Sequence, residues 1–222
     1  MPLLLNREID RLRKQLLALS GHVEQTFDDA VRAAVQHDSN GALDVIDRDR
    51  VIDYMEIDVE EECLKIIALY QPVANDLRFI VAVLRINRDL ERIGDLAVSI
   101  AERSLRLGET VPPHNVPCEF ATTARHVRAM LSNSLNAMLD LDAHAAKAVI
   151  AADAAVDAAC LRMYDEIKLR IKSDPAAIDT LLHLLLMPRH LERIADHATN
   201  IAEDVIYMTE GTIVRHNGKS SD

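Results

Sequence analysis

The sequence has no tryptophan, only 3% aromatic residues, and just six glycines and seven prolines among its 222 residues. β-Sandwiches and β-barrels need frequent turns, so this shortage of turn residues argues against both. Hydrophobic residues nevertheless make up 49% of the chain, and most of them are leucine, alanine, isoleucine and valine. These proportions predict an all-α protein with enough apolar material for a substantial core.

Cysteine is also scarce, and long apolar runs are missing. Cys63, Cys118 and Cys160 form no C-x-x-C pair, and their odd number argues against a disulfide framework, which favours a reducing compartment. The N-terminus lacks the ordered regions of a signal peptide. Apolar runs such as residues 184–187 are far shorter than the roughly 20 residues of a membrane span. We therefore expect a soluble, cytoplasmic protein.

The net charge of −11 is strongly acidic. Such a chain repels phosphate backbones and anionic lipid headgroups, so nucleic acid is not expected as a partner and direct adsorption to a membrane is disfavoured. Its fixed negative charges suit cations, or basic patches on partner proteins.

The second half of the chain repeats the first. One constant shift aligns His22 with His126 and Asp53 with Asp157, and a shift three residues shorter aligns residues 90–93 with residues 191–194. The change of shift falls where both copies contain proline, at residues 71–76 in the first copy. A length change at that place is typical of a loop between helices.

Hydrophobic spacing and turn residues predict three long helices in each copy. The predicted helices cover residues 4–37, 42–70, about 75–107, 121–141, 143–172 and 175–210. The corresponding domains are a first three-helix unit at 1–107, a proline-rich linker at 108–117, a second unit at 118–215 and a polar tail at 216–222. We expect two three-helix bundles packed with pseudo-twofold symmetry, with an end-to-end arrangement as one option.

Four acidic pairs share one spacing, and each pair recurs in the other copy. They are Asp49/Asp53, Glu91/Asp95, Asp153/Asp157 and Glu192/Asp196. Residues four apart project from the same face of a helix, where like charges destabilise by a few tenths of a kcal/mol in water. Two such pairs per copy, on the second and third helices, favour a compensating charge such as a multivalent cation bridging the helices.

Carboxylates without cysteine are hard ligands, which suit magnesium, manganese, calcium or oxidised iron better than a structural zinc site. Helical geometry places Glu91 and Asp95 roughly 100–120° from the apolar stripe of their helix, on the rim of the core. The alternative is a solvated acidic face neutralised by Arg88 and Arg189, each three residues before a glutamate of the pairs. Spacing alone does not choose between these two interpretations.

The segment Leu90-Glu91-Arg92-Ile93-Gly94-Asp95 and its copy at 191–196 resemble the paired signature of the PhoU family. Residues 21–25 and 197–207 agree with the same family, and the resemblance covers about the whole chain. It implies two three-helix bundles related by pseudo-twofold symmetry, with multinuclear metal clusters on the surface. The implied metal is iron, with zinc, magnesium or manganese as alternatives. The implied metal ligands are Glu91, Asp95, Glu192 and Asp196, joined by Asp49, Asp53, Asp153 and Asp157.

The resemblance also implies a function without catalysis. Members of the family restrain the phosphate-starvation response and high-affinity phosphate uptake when phosphate is plentiful. They act through the phosphate ABC transporter, by its ATPase subunit, and through the phosphate sensor histidine kinase. The resemblance therefore implies a cytoplasmic protein that is recruited peripherally to the inner face of the membrane through these partners. A second copy of the chain, forming a homodimer, is a further candidate partner.

Two other functions are alternatives to this one. A carboxylate-bridged di-metal oxidase uses Glu-x-x-His motifs, and none of the nine histidines has glutamate three residues before it. A metal-binding helical adaptor without a phosphate role stays a further alternative. His183, His190 and His197 recur every seven residues, about 10 Å apart along a helix, which is too far for three ligands on one ion.

Pro188 is the main departure from the family pattern. A proline inside a helix removes a hydrogen bond, so we expect Pro188 to interrupt and kink the last helix just before Glu192 and Asp196.

Overall fold

The computed structural model describes residues 2–108 and 115–211, with side chains from Leu4 onward. These ranges contain six α-helices and one short 3-10 turn. They are α1 (Pro2–Gln36), α2 (Ser39–Tyr70), α3 (Ala74–Gly108), α4 (Phe120–Asp140), α5 (Ala143–Ser173) and α6 (Ile178–Glu210), with the 3-10 turn at Pro175–Ala177. The all-α prediction is confirmed, and every predicted helix is present. Residues 109–114 of the predicted linker and the predicted tail 216–222 lie outside the described residues.

Equivalent aspartates begin the second helix of each copy. Asp38 accepts a hydrogen bond from the backbone N–H of Gly41 at 3.0 Å, and Asp142 accepts from His144 and Ala145 at 2.8 and 3.0 Å. Each carboxylate satisfies N–H groups that have no partner within the first turn of the helix. None of the helices in the described ranges combines the length and apolarity needed to cross a membrane.

The predicted interruption at Pro188 is wrong, because α6 runs as one continuous helix from Ile178 to Glu210. Pro188 is buried, and its carbonyl accepts a 3.3 Å hydrogen bond from the Sγ atom of Cys160 on α5. Proline cannot supply the helical N–H at this point, yet the helix continues through it, with the ring buried and its carbonyl bonded to α5. Pro175 begins the 3-10 turn and not the α-helix itself.

The helices form two bundles side by side, so an end-to-end arrangement is wrong. Helices α1, α2 and α3 pack on one another, as do α4, α5 and α6. Between the bundles, α3 packs along α6 and α1 contacts α4, while α2 and α5 lie on the outside. Each helix at the junction therefore contacts the equivalent helix of the other bundle, as a twofold relation between the bundles requires. One hydrophobic core runs through both bundles.

Polar contacts along the α3–α6 seam break the symmetry between the two copies. Arg85 Nη1 donates to Asp204 Oδ1 at 3.2 Å, and the Asp204 side chain is only 1% exposed. His197 Nδ1 lies 2.8 Å from Asp89 Oδ1. The histidines spaced seven residues apart therefore lie along this seam. His183 Nδ1 also lies 3.3 Å from the Nη1 atom of Arg103.

Candidate metal centre

Helices α2 and α3 bring the first four predicted ligands to one surface. Asp49 has a raised pKa because it is partly buried and because the carboxylates of Asp53, Asp95 and Glu102 lie nearby. The pKa of Glu91 is raised by burial first and then by Asp95 and other acidic neighbours. Both shifts mean that the metal-free cluster opposes full ionisation.

The rim position predicted from the helical geometry is confirmed. The side chain of Glu91 is 24% exposed and that of Asp95 is 41% exposed. Both carboxylates form salt bridges with Arg92. Arg92 Nε lies 3.4 Å from Glu91 Oε2, and Arg92 Nη1 lies 2.9 Å from Asp95 Oδ2. The alternative interpretation named Arg88 as the neutralising partner, but the charge of Arg88 acts on Glu56 of α2.

Sequence reasoning missed Glu56 and Glu102, which extend the same acidic surface. Glu56 raises the pKa of Glu91, and its own pKa is raised by burial, then by Glu60 and Asp53. Asn87 on α3 holds Glu56 in place, since its Nδ2 atom donates to the Glu56 backbone oxygen at 2.9 Å and to Oε1 at 3.3 Å. Their spacing could have indicated both residues. Glu56 follows Asp49 by seven residues and Glu102 follows Asp95 by seven, and residues seven apart share a helix face.

One carboxylate atom of this surface has no hydrogen-bond partner. The Oδ1 atom of Asp49 is buried and accepts no hydrogen bond. An unsatisfied buried carboxylate oxygen is unfavourable, and a bound cation would satisfy it. This atom and the all-oxygen donor set fit a hard metal ion at this place.

The second acidic surface, on α5 and α6, differs in chemistry. Burial first, and then the nearby carboxylates of Glu192, Asp157 and Asp153, raise the pKa of the Cys160 thiol to about 12. The hydroxyl of Tyr164 donates to Glu192 Oε2 at 3.3 Å. Asp196 is exposed, four residues further along α6.

The differences between the two surfaces are concentrated at three aligned positions. Cys160 stands where the first copy has Glu56, Tyr164 stands in place of Glu60, and Pro188 in place of Asn87. The first surface therefore offers more carboxylate oxygens, whereas the second adds a thiol and a phenol. Hard cations prefer the first set of donors.

The described side chains do not enclose an ion as they stand. Among residues 4–108 and 115–211, no group of three or more histidine, cysteine, aspartate or glutamate side chains is arranged closely enough to hold a metal. The carboxylates of Glu91 and Asp95 instead form salt bridges with Arg92. Metal binding at the eight predicted ligands therefore stays a prediction.

Gly94 lets α2 approach α3 between the two acidic pairs. A Cβ atom added to Gly94 would lie 3.1 Å from Ile52 Cδ1 and 3.3 Å from Ile52 Cγ2. The second copy has Ala195 and the smaller Val156 at the aligned positions. The two copies thus keep these helices close with different pairs of side chains. The first pairs the smaller residue on the third helix with the larger residue on the second, and the other copy has one more carbon on the third helix and one fewer on the second.

We expect Gly94→Ala to destabilise the protein by about 1 kcal/mol, because overpacking against Ile52 outweighs the gain in helix propensity. Ile52→Val in the same chain should recover most of that loss by restoring the pairing of the second copy. Urea denaturation of both single variants and the double variant measures the coupling. Strictly additive effects would mean that Ile52 does not limit the space at Gly94.

Comparisons with known proteins agree with the fold and with the signature segments. A family model described as the PhoU domain matches the chain twice, over residues 16–104 and 120–205. A Pseudomonas putida protein named phosphate-specific transport system accessory protein PhoU homolog is 39% identical over 213 residues, which are 96% of this chain and 83% of the relative.

Solved structures give the same result. The crystal structure of PhoU from Pseudomonas aeruginosa matches with a TM-score of 0.86 at 37% identity, covering 93% of this chain and 99% of that one. The phosphate transport system regulatory protein PhoU from Streptococcus pneumoniae matches with a TM-score of 0.87 at 28% identity, covering 95% and 99%. The two domain matches coincide with α1–α3 and α4–α6. With both bundles matched and relatives aligned over almost the whole chain, this protein belongs to the PhoU family.

Proposed function

We propose that this chain is a non-enzymatic negative regulator of the phosphate-starvation response and of high-affinity phosphate uptake. The observation that supports this function is the match over 96% of the chain to a relative named as an accessory protein of phosphate-specific transport. In this proposal the protein acts through the ATPase subunit of the phosphate ABC transporter and through the phosphate sensor histidine kinase. It is cytoplasmic and reaches the inner face of the membrane through these partners.

The acidic surfaces are proposed to bind metal ions, with the carboxylates of α2 and α3 as the stronger site. Their support is the buried Oδ1 atom of Asp49 and the raised pKa values of Asp49 and Glu91. Iron is the metal implied by the family, and zinc, magnesium and manganese are alternatives. A bound cation would supply the positive charge that these carboxylates lack among themselves.

The regulatory role is tested by the expression of high-affinity phosphate-uptake genes in phosphate-rich medium. We expect expression to rise strongly in cells that lack the protein, because the proposed repression is then removed. Restoring the native gene should return it to the basal level. Unchanged expression in the deleted cells would favour a helical adaptor without a phosphate role.

Cells restored with a variant carrying alanine at Glu91, Asp95, Glu192 and Asp196 separate regulation from metal binding. If the acidic surfaces take part in regulation, this variant leaves expression high although its cellular level equals that of the native protein. Full repression by the variant would show that these carboxylates are not needed for the regulatory role.

Metal binding is tested by replacing Asp49 with asparagine in protein that has been stripped of metal with a chelator. Because the pKa of Asp49 is raised in the folded state, its ionised form weakens folding at neutral pH. The metal-free variant should therefore be more stable than the native protein by a few tenths of a kcal/mol. Added iron or manganese should raise the melting temperature of the native protein and raise that of the variant much less.

Asp47→Asn is the matched control, because Asp47 is exposed on the same helix, two residues from Asp49. It removes the same charge and should keep the full metal-dependent rise in melting temperature. Equal metal responses in the native protein and in the Asp49→Asn variant would contradict the proposed site.

A further inference from the structure

An open groove runs between α4 and α5 on the outside of the second bundle. Its volume is about 460 Å³, and every residue that lines it belongs to these two helices or to the turn between them. Six alanines line it: Ala129, Ala137, Ala145, Ala148, Ala152 and Ala155. Such a groove presents apolar surface with many small side chains, at a place that no other described helix covers.

The first bundle closes the same place with its own side chains. The positions aligned with Ala152 and Asn133 are Arg48 and Asp29. Arg48 Nη2 donates to Asp29 Oδ2 at 2.8 Å, and Gln25, aligned with Ala129, donates to Asp29 Oδ1 at 2.9 Å. Because one copy of the fold is closed there, an open groove is not a requirement of the three-helix bundle.

The electrostatics of the groove are one-sided. Asp140 and Asp142 lie at the end where α4 turns into α5, and none of the described residues that line the groove is a lysine or an arginine. The C-terminus of α4 and the N-terminus of α5 meet at that end, so their opposite partial charges offset each other and the two carboxylates set the charge there. The occupant that complements this shape and charge has an apolar stripe and a positive charge at one end.

We propose that this groove binds one amphipathic α-helix of a partner protein, with lysine or arginine residues of that helix over Asp140 and Asp142. Small residues let helix axes approach to about 8 Å, and helices recognised in grooves place apolar residues at every third or fourth position. The groove residues are distinct from the acidic residues Asp153 and Asp157 on α5. Docking here can therefore fail while phosphate regulation and metal binding remain.

The test uses the full chain and two designed helical peptides with the same stripe of leucine and alanine. One peptide carries lysines at one end and the other carries glutamates at the same positions. Fluorescence anisotropy of the labelled peptides should show that the lysine peptide binds the native protein in a one-to-one complex. The glutamate peptide should bind at least about tenfold more weakly, a difference of about 1.4 kcal/mol.

Ala152→Arg refills the groove in the way that Arg48 fills the first bundle. It should weaken binding of the lysine peptide at least about tenfold. Ala154→Arg is the matched control, because Ala154 is exposed on the same helix but does not line the groove, and it should leave the affinity within about twofold. Circular dichroism verifies the fold, and Ala148→Arg replaces the first variant if that one does not fold.

Three results would overturn this assignment. In the first, neither peptide binds the native protein. In the second, Ala152→Arg and Ala154→Arg weaken binding equally, which indicates attraction to the acidic chain as a whole. In the third, light scattering shows a native dimer that Ala152→Arg converts to a monomer, so that the occupant is a second copy of this chain.

Discussion

Replacing Arg85 with alanine should lower the free energy of unfolding by about 3 kcal/mol, because the change removes a charged hydrogen-bond partner of the buried Asp204 carboxylate. Arg85 Nη1 lies 3.2 Å from Asp204 Oδ1, and the Asp204 side chain is 1% exposed. The guanidinium also lies over the ring of Tyr207, with its Cζ atom 5.3 Å from the centroid. Urea denaturation at neutral pH, in the presence of a chelator, measures the loss.

Arg88→Ala provides the control on the same helix. Arg88 is exposed and lies one turn further along α3, so its removal should change stability by less than about 0.5 kcal/mol. A loss of less than 1 kcal/mol at Arg85 would mean that the other contacts of Asp204 hold its charge without this arginine. Arg85 would then contribute little to the joining of the bundles.

Acidification should destabilise the native protein by about 2 kcal/mol more than it destabilises a His190→Gln variant between pH 7 and pH 4.5. Burial first, and then the nearby charges of Arg103, Arg193 and Arg189, together lower the pKa of His190 from 6.5 to about 4. Both ring nitrogens are buried without a hydrogen-bond partner. The folded protein therefore holds this ring neutral.

The sign follows from the lowered pKa. The unfolded chain binds a proton at His190 as pH falls below 6.5, while the folded chain does so only near pH 4. Stability is thus complete at neutral pH and is lost as pH falls through this window. Urea denaturation in a chelating buffer at several pH values measures both proteins, with His22→Gln, an exposed position outside the seam, as the control. Parallel curves for the native protein and His190→Gln would contradict a neutral, buried ring.

The helices and the acidic pairs were predictable because their signals are local. Hydrophobic spacing and turn residues predict helices whose ends agree with the structure to within three residues. Spacing of four residues also predicts that Glu91 and Asp95 share the rim of the core, and the structure places them there. The duplication adds that α2 and α3 have counterparts in α5 and α6.

Other features depend on contacts between distant parts of the chain. Pro188 was expected to interrupt α6, because local rules count only its missing N–H. In the structure its burial and the contact from Cys160 outweigh that loss. The seven-residue step from Asp49 could have indicated Glu56, but the contact from Asn87 of α3 that holds Glu56 in place comes from another helix.

By itself the sequence determined an all-helical, duplicated chain with repeated acidic pairs, because helix periodicity, capping and spacing act over a few neighbouring residues. Only the tertiary structure decided that the bundles lie side by side along α3 and α6, joined by Arg85 and Asp204. It also decided that the groove is open in the second bundle and closed in the first by Arg48 and Asp29. These outcomes depend on which side chains meet across helices, and packing between distant segments is not encoded in local periodicity.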